Sequence, residues 1–115
     1  LNGPFMFTVE VSDLILDNKM VIPSEFKLHQ NYPNPFNPTT QIKYDLPKDA
    51  IVNISIYDLM GNSIKSLVNI FQPTGYRSLR WDGTNNYGEV VSAGMYIYVI
   101  QTGEFRATKK MILLK

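Results

Sequence analysis

The sequence contains no cysteine, one histidine and one tryptophan in 115 residues. Without cysteine there are no disulfides, no cysteine-ligated zinc and no thiol chemistry. That absence does not by itself assign a redox compartment. The lone imidazole, His29, sits between Leu28 and Gln30, just ahead of a proline-rich stretch. A nucleophilic triad would need a serine and a carboxylate to converge on it, which sequence spacing cannot show. His29 is therefore read as structural. The acidic residues are dispersed and mostly turn-like in context, so a paired-carboxylate site is not indicated either. Charge of one sign is also missing: 11 Lys+Arg against 10 Asp+Glu leave a formal charge of +1. Nucleic-acid binding needs a clustered basic surface, which this balance does not supply. No apolar run approaches the ~20 residues of a membrane helix. The expectation is a non-enzymatic chain with no cofactor, no nucleic-acid partner and no membrane-spanning segment.

What is present suits a packed β domain. The chain is 44% hydrophobic and 12% aromatic. At this length it fits one domain, able to bury roughly two thirds of its unfolded surface. It begins Leu1-Asn2-Gly3-Pro4, with neither an initiator methionine nor a signal-peptide pattern. A fragment of a longer protein is expected.

Period-two alternation runs through most of the sequence. Phe5, Phe7, Val9 and Val11 alternate with polar or smaller neighbours, giving a strand-like stretch at 5–12. Residues 13–25 read as a linker. Phe26 to Tyr32 reads as a first strand, followed by the clean alternation of Thr40, Ile42, Tyr44 and Leu46. Val52, Ile54 and Ile56 mark the next strand, 63–69 a weaker one, and 76–82, with Leu79 and Trp81 on one face, another. Met95 to Ile100 is apolar on both faces, as in the middle of a sheet. Phe105 to Leu114 closes the domain after a Gly103-Glu104 turn. No segment holds a helical period. Seven short strands from residue 26 onward, separated by turn signals, define an all-β antiparallel sandwich, with 5–12 left open as an extra N-terminal strand.

The densest signal is Asn31-Tyr32-Pro33-Asn34-Pro35-Phe36-Asn37-Pro38-Thr39-Thr40, with three prolines and three asparagines in ten residues. Proline fixes φ and biases the preceding residue to extended geometry, while asparagine closes local turns. The stretch reads as a rigid corner, and none of its groups suits catalysis. Two further segments carry open alternatives. Asp82, Thr84 and Asn86 offer oxygens at alternate positions, but an EF-hand wants glycine and glutamate where Tyr87 and Ala93 stand. A looser calcium site stays open beside a plain glycine-rich turn through Gly83 and Gly88. Tyr96 and Tyr98 share a strand face and would either stack on a sugar ring or, as is more usual, pack between sheets. Lys109, Lys110 and Lys115 bracket Met111-Ile112-Leu113-Leu114, the pattern of an edge strand whose lysines discourage pairing with other chains.

Six short motifs occur together and in order. They are Asn31 through Pro38, Ile56-Tyr57-Asp58, Leu59-Met60-Gly61, Trp81-Asp82-Gly83, Ala93-Gly94-Met95-Tyr96 and Lys109-Lys110-Met111. In this they resemble the type A C-terminal sorting domain of the type IX (Por) secretion system, a family related to the immunoglobulin-like domain of the flagellar hook-capping protein. The resemblance covers about 26–115 and leaves 1–25 as the end of, or linker from, a preceding cargo domain. It implies an Ig-like sandwich that guides a secreted cargo from the periplasm through the outer-membrane translocon to the cell surface. A sortase-like peptidase would then remove the domain by cutting within 13–25. By the same resemblance the sorting signal would comprise Gly94, Tyr96, Lys109, Lys110, Met111, Leu113, Leu114 and Lys115. The corner and Trp81-Asp82-Gly83 would be structural, and a monomer is expected. The alternative is an Ig-like spacer, or a carbohydrate- or calcium-binding accessory module of a secreted enzyme.

Overall fold

The computed structural model describes residues 22–114, so the 5–12 stretch, most of the 13–25 linker and Lys115 lie outside the described residues. Among the described residues there are seven strands: β1 (Lys27–Leu28), β2 (Thr40–Leu46), β3 (Ala50–Asp58), β4 (Ser63–Gln72), β5 (Gly75–Trp81), β6 (Gly94–Thr102) and β7 (Phe105–Leu113). They form a three-stranded sheet, β1-β2-β5, and a four-stranded sheet, β4-β3-β6-β7. All strand pairs within the sheets are antiparallel. No helix occurs among the described residues. The seven-stranded all-β sandwich expected from the alternation is the architecture found.

The alternation works because each inward residue meets the opposite sheet. Ile42, Tyr44 and Leu46 of β2 and Val52, Ile54 and Ile56 of β3 are at most 1% exposed and share one core with Trp81, Tyr98, Ile100 and Met111. Turns at strand ends decide whether the chain stays in its sheet. Asp58 Oδ1 accepts the Met60 and Asn62 amides, closing the β3–β4 hairpin within one sheet. By contrast, the turn at 47–49 and the short link after Gln72 carry the chain across to the other sheet. Thr74 fastens the second crossing, its hydroxyl donating to Leu46 O at 2.6 Å and its amide to Asp49 Oδ1 at 2.9 Å.

Two strands differ in extent from their sequence reading. β4 runs three residues past the expected end at 69, because register with β3 continues to Ala50↔Gln72 whatever the local periodicity. β1 is shorter than expected and is limited to Lys27 and Leu28. Tyr98 supplies the reason. Its hydroxyl donates to His29 O and accepts from Asn31 N–H, both at 2.7 Å, and so takes two backbone groups that would have extended the ladder. The chain rejoins β2 only at the isolated Tyr32↔Gln41 bridge. There Tyr32 is 80% exposed, although alternation from Leu28 would have turned it inward.

Candidate interaction surface

The proline–asparagine corner does not simply precede β2. It lies along the outer edge of β7, the last strand of the chain. Phe36 N–H donates to Ile112 O at 2.9 Å, and Leu114 N–H donates to Phe36 O at 2.8 Å. Between them, Ile112 N–H donates to the side-chain oxygen of Asn34 at 2.9 Å. One turn earlier, Gln30 Nε2 donates to Lys110 O at 2.7 Å. A proline-rich stretch cannot extend a ladder with its own amides. The only amide it gives this edge is that of Phe36, and Asn34 contributes its side chain instead. Asn31 and Thr40 brace the corner from within: Asn31 Nδ2 donates to Thr40 Oγ1 at 2.9 Å, and the Thr40 hydroxyl donates to Pro33 O at 2.8 Å.

Beneath the corner, Phe36 packs on Trp81 with ring centroids 5.7 Å apart, and Trp81 meets Tyr96 edge-on at 5.4 Å. The Trp81 indole donates to Thr84 O at 2.9 Å. Gly83 has φ +79°, and a Cβ there would stand 3.3 Å from Pro38 O and 3.6 Å from a Leu113 methyl. A side chain at 83 would therefore be strained in φ and would crowd both the corner and the last strand. Register completes the cluster by pairing Gly94 with Leu113 and Tyr96 with Met111. Residues from the corner, from Trp81-Asp82-Gly83, from the start of β6 and from the end of β7 thus meet at one end of the sandwich.

The residues grouped as a sorting signal split into two sets here. Tyr96, Met111 and Leu113 are core residues, 5%, 0% and 2% exposed. Gly94, Lys110 and Leu114 are exposed and Lys109 partly so. Lys115 lies outside the described residues. Only the second set can be touched without opening the fold.

The other candidates are placed as follows. Tyr96 and Tyr98 both face the core, so neither ring is offered to a sugar. Burial pushes the Tyr98 phenol up to about 12. Asp82 Oδ1 accepts the Thr84 hydroxyl at 2.6 Å and the Thr84 amide at 3.2 Å, contacts that hold its carboxyl below the usual range. The Asn86 side-chain oxygen accepts Ser66 N–H at 3.0 Å. The oxygens weighed for calcium are thus engaged within the loop and with β4. Among the described residues, no group of three or more His, Asp or Glu side chains is placed to hold a metal ion. His29 pairs with Asp45 at 3.0 Å, a contact that sequence spacing gave no means of seeing.

Two antiparallel sheets of three and four strands closed over one core define an immunoglobulin-like module. Residues 34–104 match the FlgD Ig-like domain, and the chain belongs to that family. Three solved structures share the fold. PorU of Porphyromonas gingivalis, crystallised as a latent dimer, is 23% identical with TM-score 0.60 over 79% of this chain and 10% of its own. PorZ, an essential surface component of the type IX secretion system of the same organism, is 17% identical with TM-score 0.53 over 78% of this chain and 11% of its own. FlgD of P. aeruginosa is 25% identical with TM-score 0.52 over 64% of this chain and 57% of its own. This chain therefore spans about a tenth of the length of PorU and PorZ. No curated protein matches it in sequence.

Proposed function

We propose that this Ig-like domain sorts a larger secreted protein through a type IX outer-membrane translocon, and that a sortase-like peptidase then removes it by cutting in the linker that precedes it. The observation that carries this reading is the convergence of four sequence motifs on the end of the sandwich where β7 terminates. The corner pins the terminal strand so that Lys109, Lys110 and Leu114 are displayed on a fixed backbone while Met111 and Leu113 anchor it. A receptor reading such a surface would meet one preorganised shape, which lowers the entropy lost on binding. Fold likeness to PorZ and PorU is consistent with this role and supports it no further than the shared architecture.

The test is export of a periplasmic reporter fused ahead of residues 22–115 in a host with the type IX apparatus. Deleting 109–115 is uninformative, because it removes Met111 and Leu113 from the core. The useful variant combines Lys109→Glu, Lys110→Glu and Leu114→Asp, which leaves every buried residue in place. The expected result is a reporter retained in the periplasm with the domain's melting temperature nearly unchanged. Export at the parental level would reject the sorting role and favour an Ig-like spacer, the second reading that membership of the hook-capping family supports.

A further inference from the structure

The outer face of the three-stranded sheet carries a second group of polar side chains, sharing no residue with the gathered motifs. Register pairs Lys27 with Asp45, Lys43 with Ser78 and Asp45 with Tyr76. Directly opposed residues on antiparallel strands project to one face. Here they border an open cleft of about 420 Å³ lined by His29, Lys43, Asp45, Tyr76, Arg77 and Ser78. Three features give the cleft its chemistry. The Tyr76 side chain is 63% exposed, large for an aromatic on a sheet face with nothing packed over it among the described residues. His29 Nε2 and Asp45 Oδ1 lie 3.0 Å apart and fix one another, leaving Asp45 a second carboxylate oxygen. Arg77 stands opposite the buried Tyr44 and so projects to the other face of the sheet, whereas Lys27, opposite Asp45, is exposed on this one. Lys43 is exposed beside them.

We propose that this cleft binds an anionic saccharide, one bearing carboxylate or sulfate groups. An exposed tyrosine ring offers an apolar face for the C–H side of a pyranose. The Asp45–His29 pair places an acceptor beside a nitrogen, the arrangement that holds a sugar hydroxyl as both donor and acceptor. Lys27 and Lys43, against the one carboxylate, leave a cationic surplus for an acidic substituent. A site for a bare inorganic anion would gain nothing from the ring. An acidic peptide would leave the Asp45–His29 pair without a sugar hydroxyl to hold and the Tyr76 ring without a pyranose face.

The experiment is an NMR titration of the 115-residue chain, following the His29 and Tyr76 ring signals and the β2 and β5 amides. The probes are tetragalacturonate, a chondroitin sulfate tetrasaccharide, neutral cellotetraose and tetraglutamate. At least one acidic sugar should produce saturable shifts confined to this face, with cellotetraose much weaker. Tyr76→Ala and Lys43→Gln, both at exposed positions, should each weaken that binding by about tenfold or more. Shifts from neither acidic sugar up to about 10 mM, a range covering even very weak affinities, would overturn the proposal. So would tetraglutamate binding as well as the sugars with Tyr76→Ala having no effect, which would mark a groove for acidic peptides.

Discussion

At one edge of the four-stranded sheet, β7 presents its outer backbone to the proline–asparagine corner, which bonds Ile112 on both its N–H and C=O and Leu114 on its N–H. At the other edge, β4 is engaged only near its start, where the Asn86 backbone amide donates to Ile64 O at 3.2 Å and its side-chain oxygen accepts Ser66 N–H. Past Ser66, no described residue bonds the outer side of β4, and Ser66 to Gln72 contains no charge while Ile70 and Phe71 are 61% and 58% exposed. Exposed sheet edges template pairing with other chains unless covered, charged or bent. β7 is covered and carries Lys109 and Lys110; β4 relies on two register shifts against β3, between Ile54 and Ser55 and between Ile56 and Tyr57. The difference teaches that protection is concentrated on β7, the strand whose opening would release Met111 and Leu113 from the core.

The largest effect that distinguishes the edges should come from Phe36→Ala. Removing a ring 1% exposed beneath the corner should cost about 3–5 kcal/mol in urea unfolding. The matched Phe71→Ala on the open edge should stay within about 0.5 kcal/mol. Equal costs at the two sites would abolish the energetic contrast. Next comes Tyr98→Phe, which strips His29 O and Asn31 N–H of their shared partner and should cost about 1–3 kcal/mol. It should also alter the alkaline limb of the stability curve. The folded-state phenol titrates near 12, above its ordinary 10.0. Its stabilising contribution is therefore fully present below pH 10 and is lost as pH rises through 12. The phenylalanine variant should decline less steeply over that window, and an unchanged slope would show that Tyr98 does not report on folding.

Smaller still is Asn34→Ala, which removes the acceptor for Ile112 N–H and should cost about 0.5–1.5 kcal/mol, with faster hydrogen exchange at that amide. Asn69→Lys on β4 should shift stability least, within about 0.5 kcal/mol. Its measurable consequence should be less self-association in light scattering at high concentration, since a lysine on an open edge opposes pairing. If the parent chain scatters no more than the variant, β4 is already protected by its shape.

Much of the fold was legible because binary alternation is a local property. Thr40, Ile42, Tyr44 and Leu46, and Val52, Ile54 and Ile56, point inward as their spacing demands. Turn chemistry was equally local at Gly61 and Gly103. What failed to show was anything set by a distant partner: the full length of β4, the early end of β1 and the outward turn of Tyr32. The interaction surface was legible as motifs and illegible as a surface. Asn34 and Ile112 stand 78 positions apart, and nothing in either neighbourhood announces the other. Alternation along β7 did carry the signal that Met111 and Leu113 would be core while Lys110 and Leu114 would be exposed.

The sequence alone determined that the residues from 26 onward form seven strands and no helix, with a corner at 31–38 that can join neither a helix nor a central strand. Those outcomes follow from φ restriction, side-chain period and turn propensity, which act within a few residues. Only the tertiary structure decided that the corner covers the edge of the last strand, that His29 faces Asp45, and that Tyr76 stands over an open cleft. Each of these depends on which strands become neighbours, and that choice is made by burial of the shared core.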